Sequence, residues 1–224
     1  SDYESAATSF SEAQKLFHEL GNARNEAKCL NNLGLCHAAL GNYGQARQFH
    51  EEAYHLYTAI GDEASKANAL SNLGIAQEAS AVGGDPAFVR VSVGALPLIL
   101  AADDSHRSAE TIYTQTGDRA GLQRSLFNLG TVLLSKGDAP GGLDALSQAL
   151  ARARELEQFD LAGRALAAMG RAHLKLGQQA DAISCTSEAL AMLEQGTCFA
   201  EEEIRFSHAL ALSASHQNDE AKRQ

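Results

Sequence analysis

Glycine residues recur in this sequence on a lattice of 20 residues, and most are followed by Asn or Asp. The glycines on the lattice are Gly21, Gly41, Gly61, Gly117, Gly137 and Gly177. Glycine adopts the left-handed conformation that ends a helix without steric cost, and Asn or Asp favours the turn that follows. Each interval therefore predicts one helix and one tight turn. Glu157-Gln158 occupies the lattice point that has no glycine.

The intervals alternate between two patterns, so the repeating unit has 40 residues and two helices. The first helix carries a large residue and, four positions later, a glycine, as at Leu30 and Gly34. The second helix carries two small residues seven positions apart: Ala46 and Ala53, Ala102 and Ala109, Gly142 and Ala149, and Ala182 and Ala189. Small residues let two helices approach closely, and a single hairpin cannot bury its apolar face without neighbours. The sequence predicts an all-α solenoid of antiparallel helix pairs, with about ten helices.

These signatures resemble those of the tetratricopeptide repeat family. The residues that carry the resemblance are the Leu-Gly pair, the large residue four before its glycine, and the alanines 12 and 19 after it. The long period, with its Asn-Leu-Gly and Leu-Gly-Asn motifs, resembles the repeats of Pins/LGN-type adaptors. The resemblance covers nearly the whole chain. It implies a right-handed superhelix whose first helices line a concave groove, in a family that serves many partners.

The pattern divides a single array over residues 1–224 into partial and complete repeats. A lone second helix is predicted at 3–20, and hairpins at 23–60, 63–116, 119–156 and 159–196. A partial repeat follows at 200–224, with a first-type helix to about residue 216 and the start of another helix at Glu220. Because the pattern begins and ends within a repeat, we expect a piece of a longer protein.

An insertion of 16 residues near 81–96 interrupts the lattice. Gly83-Gly84-Asp85-Pro86 predicts a helix end or a loop. Residues 88–93 alternate apolar and polar side chains as a strand does, but a lone strand has no pairing partner in a helical array. Two interpretations remain: a flexible loop, or an extension of the second helix that begins near Pro86. A role for this segment in covering the groove also stays open.

Composition and motifs exclude several classes of function. The net charge of −10 disfavours nucleic acid and anionic membrane as partners, and no apolar run reaches the length of a membrane span. No catalytic, nucleotide-binding or metal-binding motif occurs, so neither enzyme activity nor a cofactor nor a metal is expected. His37, His50, His106 and His173 recur at equivalent helix positions, where packing between helices is expected. Unpaired cysteines indicate a reducing compartment, which predicts a cytoplasmic location.

The family resemblance implies which first-helix positions face the groove. The residues expected to bind a peptide there are Lys28, Asn31, Asn32, Leu35, Asn68, Asn72, Ile75, Arg124, Phe127, Asn128, Arg164 and Arg171. Asn32, Asn72 and Asn128 form a predicted ladder of amides, which can pair with both the C=O and the N–H of an extended chain. The cations would hold carboxylates. In the alternative interpretation, the amides bridge neighbouring helices and the cations only solvate the surface.

These features predict a scaffold or adaptor whose groove binds an extended, acidic segment of another protein. A second hypothesis is a sensory or regulatory module of a larger signalling protein, which grips another domain of its own chain or a peptide signal. A third is a self-associating architectural array.

Overall fold

The computed structural model describes residues 2–82, 95–196, 198 and 200–223. Within these ranges the chain forms ten α-helices and no strand, which confirms the all-α prediction. The helices are α1 (Asp2–Glu19), α2 (Ala23–Ala39), α3 (Tyr43–Ala59), α4 (Glu63–Val82), α5 (Leu96–Thr116), α6 (Arg119–Lys136), α7 (Ala139–Glu155), α8 (Phe159–Lys175), α9 (Gln179–Glu194) and α10 (Glu201–Arg223). The even-numbered helices carry the first-helix pattern, and the odd-numbered helices carry the second.

The turns between helices follow the glycine lattice. The backbone φ angles of Gly21, Gly41 and Gly61 are 64°, 76° and 69°, in the left-handed region. At the lattice point without glycine, Glu157 adopts the same conformation with φ 53°. The amide of Gln158 still donates to the carbonyl of Ala153 at 2.8 Å, so the turn closes without glycine. The packing of the flanking helices therefore imposes a conformation that a side chain disfavours.

The next helix begins where an Asn or Asp side chain caps it. Asp62 Oδ1 accepts a hydrogen bond from the amide of Ser65 at 3.1 Å, and Asp118 Oδ1 accepts one from the amide of Gly121 at 2.9 Å. These oxygens satisfy amides that have no partner inside the first turn of the helix. Glycine and acidic residue together thus explain why each helix stops and the next one starts within three or four residues.

The chain comprises two compact units, Ser1–Ser125 and Leu126–Gln224. In the first unit, α2 packs between α1 and α3, and α4 between α3 and α5. The first helices α2 and α4 also contact each other. In the second unit, α8 packs against α7, α9 and α10.

The core of the first unit consists of two clusters of apolar side chains. One cluster contains Ala27, Leu30, Leu33, Ala53, Tyr57 and Ala69, and the other contains Ala67, Leu70, Ala109, Ile112 and Tyr113. The predicted small residues Ala46, Ala53, Ala102 and Ala109 are completely buried, as close helix contacts require. Gln123 is also completely buried, and neither atom of its amide has a hydrogen-bond partner.

The second unit repeats this packing. Leu129, Leu133 and Ala145 form one cluster, while Leu146, Ala149, Ala182 and Ala189 are completely buried. A Cβ atom on Gly130 would lie 2.6 Å from Leu146 Cγ and 3.1 Å from the carbonyl oxygen of Gly142. The glycine of the first helix therefore allows the second helix of the same hairpin to approach.

The chain after residue 200 differs from the prediction. A break had been expected near residue 216, with a new helix from Glu220, but α10 continues from Glu201 to Arg223. Of the insertion near 81–96, α4 covers the first residues as far as Val82 and α5 begins at Leu96. Residues 83–94, which carry the alternation and Pro86, lie outside the described residues.

Candidate functional site

In the first unit, two predicted site residues on neighbouring first helices bond directly to each other. Asn72 Nδ2 on α4 donates to Asn31 Oδ1 on α2 at 3.2 Å, although the two residues are 41 positions apart. Successive repeats therefore place equivalent residues side by side, as the predicted stripe requires. Asn72 pairs with Asn31, however, and not with Asn32.

Asn31 also contacts the second helix of its own hairpin. Its Oδ1 lies 2.9 Å from His50 Nδ1 on α3. His50 is only 1% exposed, and burial lowers its pKa to about 4. Because the neutral ring has one N–H, and Asn31 Oδ1 already accepts from Asn72, the ring must donate through Nδ1. Sequence analysis placed His50 in the core but did not connect it with the stripe.

The amide of Asn68, another predicted site residue, is engaged inside the unit. Its Nδ2 donates to the carbonyl of Ala64 at 3.1 Å. Its Oδ1 accepts from Tyr113 OH at 2.9 Å and from Arg124 Nη2 at 3.2 Å. This amide therefore bridges α4, α5 and α6, as the alternative interpretation of the asparagines holds. Arg124 is exposed but shares the same bond.

Other residues of the stripe in the first unit remain accessible. Leu35 and Ile75, on α2 and α4, are 46% and 45% exposed. Lys28 is exposed and Asn32 is half-buried, and within the described ranges neither side chain has a hydrogen-bond partner. An ammonium group, an amide and two aliphatic side chains therefore share the face on which Asn31 and Asn72 meet.

The second unit holds the predicted cationic part of the stripe. Arg164 Nε and Arg171 Nη2 on α8 lie 3.3 Å and 3.0 Å from the two carboxylate oxygens of Glu203 on α10. Arg171 Nη1 also donates to Ser207 Oγ at 2.9 Å. The two guanidinium groups, expected to be unoccupied, are thus paired with one internal carboxylate.

Phe127 and Asn128, at the start of this unit, differ in their accessibility. Phe127 is 5% exposed and lies beneath the Arg164 guanidinium, whose carbon is 4.8 Å from the ring centroid. It therefore supports the arginine by a cation–π contact and does not present the exposed apolar surface that we had expected. Asn128 is half-buried, and its side chain has no hydrogen-bond partner among the described residues.

Sequence reasoning missed Glu203, although a signal for it exists. Glu203 follows Arg164 by 39 residues, one fewer than the repeat period. Gly196 also falls one residue before its lattice point, and its φ of 71° shows that it ends α9 as a lattice glycine does. Allowing for this one-residue shift would have placed Glu203 beside Arg164.

The buried histidines make folding sensitive to acid. His106, completely buried, resembles His50 in that burial lowers its pKa to about 4, while the nearby Asp103 carboxylate acts in the opposite direction. A group that binds its proton more weakly in the folded state stabilises the fold fully above its unfolded pKa of about 6.5 and loses that stabilisation as pH falls toward 4.

We expect the midpoint of thermal unfolding, followed by circular dichroism, to be constant from about pH 8 to 7 and to fall by several degrees by about pH 5. The double variant His50→Phe, His106→Phe has no imidazole at these positions, so its midpoint should decline less. Parallel profiles for wild type and variant would contradict the assignment.

Other groups were searched for chemistry. Within the described ranges, no cluster of three or more His, Cys, Asp or Glu side chains is arranged to hold a metal ion. In the same part of the chain, no helix is long and apolar enough to span a bilayer. All four cysteines are free, and burial raises the thiol pKa of Cys29, Cys36 and Cys185.

The helix pairs, their lattice turns and the contact between successive first helices define a tetratricopeptide-type helical repeat protein. The sequence model of the tetratricopeptide repeat family matches residues 1–59, and the chain belongs to this family, as predicted. The fold is generally a non-catalytic one used for protein interaction. The finer resemblance to Pins/LGN-type adaptors stays a prediction.

Two solved structures share the fold. BtubC (BKLC) from P. vanneervenii has a TM-score of 0.72 and 17% identity, and the match covers 89% of this chain and 76% of BtubC. The Rap protein in complex with Competence and Sporulation Factor has a TM-score of 0.67 and 17% identity, and the match covers 97% of this chain. This chain spans only 61% of the Rap chain. No curated protein sequence matches the chain.

Proposed function

We propose that this chain is a scaffold or adaptor that binds an extended, acidic segment of another protein along its first helices. The observation that carries the proposal is the face shared by α2 and α4. Asn32 offers a complete amide there, and Leu35 and Ile75 offer exposed aliphatic surface. Amides recognise the main chain of a peptide irrespective of its sequence, while aliphatic groups cover its side chains.

The preference for acidic segments rests on the cations of the stripe. Lys28 is exposed on the first unit, and Arg164 and Arg171 are 41% and 17% exposed on the second. These positive groups stand out in a chain of net charge −10. They would attract carboxylates and make binding dependent on salt. The proposed partner is therefore an acidic protein segment, and neither nucleic acid nor a metal cofactor is part of the proposal.

We expect Asn32→Ala to weaken binding of a peptide selected on the wild-type protein from a randomised library by about fivefold to tenfold. The reason is the loss of hydrogen bonds worth about 1 kcal/mol or more to the peptide main chain. Fluorescence anisotropy of the labelled peptide measures the dissociation constant.

Asn42→Ala is the matched control, since Asn42 is an exposed asparagine in the turn after α2 and lies outside the stripe. It should leave the dissociation constant unchanged. If both variants bind as wild type does, or if the selection yields no peptide, the α2–α4 face is not a peptide site.

The second hypothesis, a sensory or regulatory module within a larger signalling protein, draws support from the likeness to the Rap protein, which is described in complex with Competence and Sporulation Factor. At 17% identity this likeness extends only to the fold. The two hypotheses differ in the partner, which is a separate protein in one and a domain of the same chain or a peptide signal in the other. Examining the full-length chain for an attached effector domain distinguishes them. A self-associating array would instead appear as dimers in light scattering.

A further inference from the structure

We infer that His50 is a positioning residue for peptide recognition, because it holds Asn31 so that Asn31 and Asn72 together present one amide donor and one carbonyl acceptor. The inference rests on the proposed peptide-binding function and adds a specific recognition unit to it. His50 itself is buried and would not touch the peptide.

The hydrogen bonds fix which amide atoms remain available. Asn31 Oδ1 receives two donors, His50 Nδ1 at 2.9 Å and Asn72 Nδ2 at 3.2 Å. Among the described residues, Asn31 Nδ2 and Asn72 Oδ1 have no partner. An N–H donor and a C=O acceptor on adjacent helices match the C=O and N–H of a peptide main chain.

His50 prevents the opposite arrangement. A free asparagine amide can rotate by about 180° about χ2 and exchange its oxygen and nitrogen, because this torsion is roughly two-fold. With Asn31 rotated, its NH₂ group would face the N–H of His50 and the NH₂ of Asn72, which are both donors. The buried imidazole therefore selects the orientation that leaves Nδ2 for a ligand.

The imidazole is itself held rigidly. It lies against Gly34 on α2, where an added Cβ would be only 2.5 Å from His50 Cε1. Its low exposure of 1% leaves no room for another ring position. The neutral ring keeps its single proton on Nδ1 as long as Asn31 Oδ1 accepts it. Gly34, His50 and Asn31 thus form one connected support.

The next repeat supplies an internal control. His106 lies against Gly74 in the same way, with 2.6 Å between an added Cβ and His106 Cε1. It is also completely buried, but neither ring nitrogen has a hydrogen-bond partner. Ser71 stands 40 residues after Asn31, at the corresponding position of this repeat. His106 therefore fills the same space without an amide to orient.

The test compares His50→Phe with His106→Phe, since phenylalanine keeps a ring against the glycine but cannot donate a hydrogen bond. The probe is a labelled peptide selected on the wild-type protein from a randomised library. We expect His50→Phe to weaken its binding by about threefold to tenfold, which corresponds to the loss of one oriented hydrogen bond. His106→Phe should bind as wild type does. Circular dichroism checks that both variants remain folded.

A second readout does not depend on any ligand. Long-range nitrogen–proton NMR spectra of the wild-type protein report the imidazole tautomer, and we expect His50 to carry its proton on Nδ1. The Nε2–H tautomer, or equal peptide affinity for His50→Phe and wild type, would overturn the positioning role. Failure of the selection to give a peptide whose binding depends on Asn32 would overturn the proposed function itself, and this role with it, even if the tautomer is Nδ1–H.

Discussion

Gly34→Ala is expected to lower the free energy of unfolding by about 2 kcal/mol, although alanine is the better helix former. An added Cβ would lie 2.5 Å, 2.6 Å and 2.7 Å from three atoms of the His50 ring. That ring is buried and bonded to Asn31, so it cannot move aside without breaking the bond. The steric cost of about 1–3 kcal/mol exceeds the gain of about 0.5–1 kcal/mol in helix propensity.

Gly44→Ala, in the partner helix of the same hairpin, is the control. No atom lies within 4 Å of an added Cβ at Gly44. With no steric cost, only helix propensity remains, and the free energy of unfolding should rise by about 0.5 kcal/mol. Urea titration followed by circular dichroism measures both changes. Two variants that shift stability in the same direction would show that the α2–α3 contact is not limited by the space at Gly34.

Glu203→Gln is expected to strengthen binding of an acidic peptide by about tenfold, while Arg164→Gln combined with Arg171→Gln should weaken it by about thirtyfold or more. Glu203 places its two carboxylate oxygens on the two guanidinium groups, so it competes with a carboxylate of the peptide. Glutamine retains the size of Glu203 but not its charge. Replacing both arginines removes the cations themselves, at a cost of about 2 kcal/mol or more.

Neutral substitution is preferable to charge reversal here. A glutamate at position 164 or 171 would face Glu203, and the repulsion would loosen α10 as well as any ligand. A peptide of aspartate and glutamate residues, titrated by fluorescence anisotropy at two salt concentrations, serves as the probe. The affinity gain of Glu203→Gln should shrink at high salt.

The Arg154–Glu188 pair provides the control in the same unit. It joins α7 to α9, and its side chains are 52% and 50% exposed. Glu188→Gln removes the same charge as Glu203→Gln but at a pair outside the predicted stripe, so peptide affinity should not change. Equal effects of the two glutamine variants would mean that only net charge matters, and no effect of either would remove the arginines from the proposed site.

The positions of the helices could be predicted largely from local signals. A lattice glycine ends a helix because of its own backbone freedom, and a following acidic side chain caps the next helix over three residues. The pattern predicted a turn even at Glu157, where no glycine is present, because the neighbouring turns fixed the period. The helix expected to start at Glu220 was wrong, since no glycine marks the end of α10 before that residue.

The candidate site could be predicted less completely. The stripe correctly brought Asn31 and Asn72 to neighbouring helices, and it placed Leu35 and Ile75 at exposed positions. It treated every amide and cation as available for a ligand. Asn68 and Arg171 are instead engaged inside the protein, and Phe127 is covered by a guanidinium group. Neither the role of His50 nor that of Glu203 was predicted.

The sequence by itself determined the period, the two kinds of helix and the residues that share a face, because these depend on interactions within one or two turns of the chain. Only the tertiary structure decided which polar groups on that face are already satisfied. A hydrogen bond forms or fails within a few tenths of an ångström. Whether Asn31 meets His50, or Arg164 meets Glu203, therefore depends on the rotation and offset of packed helices, which a repeat period of 40 residues does not specify.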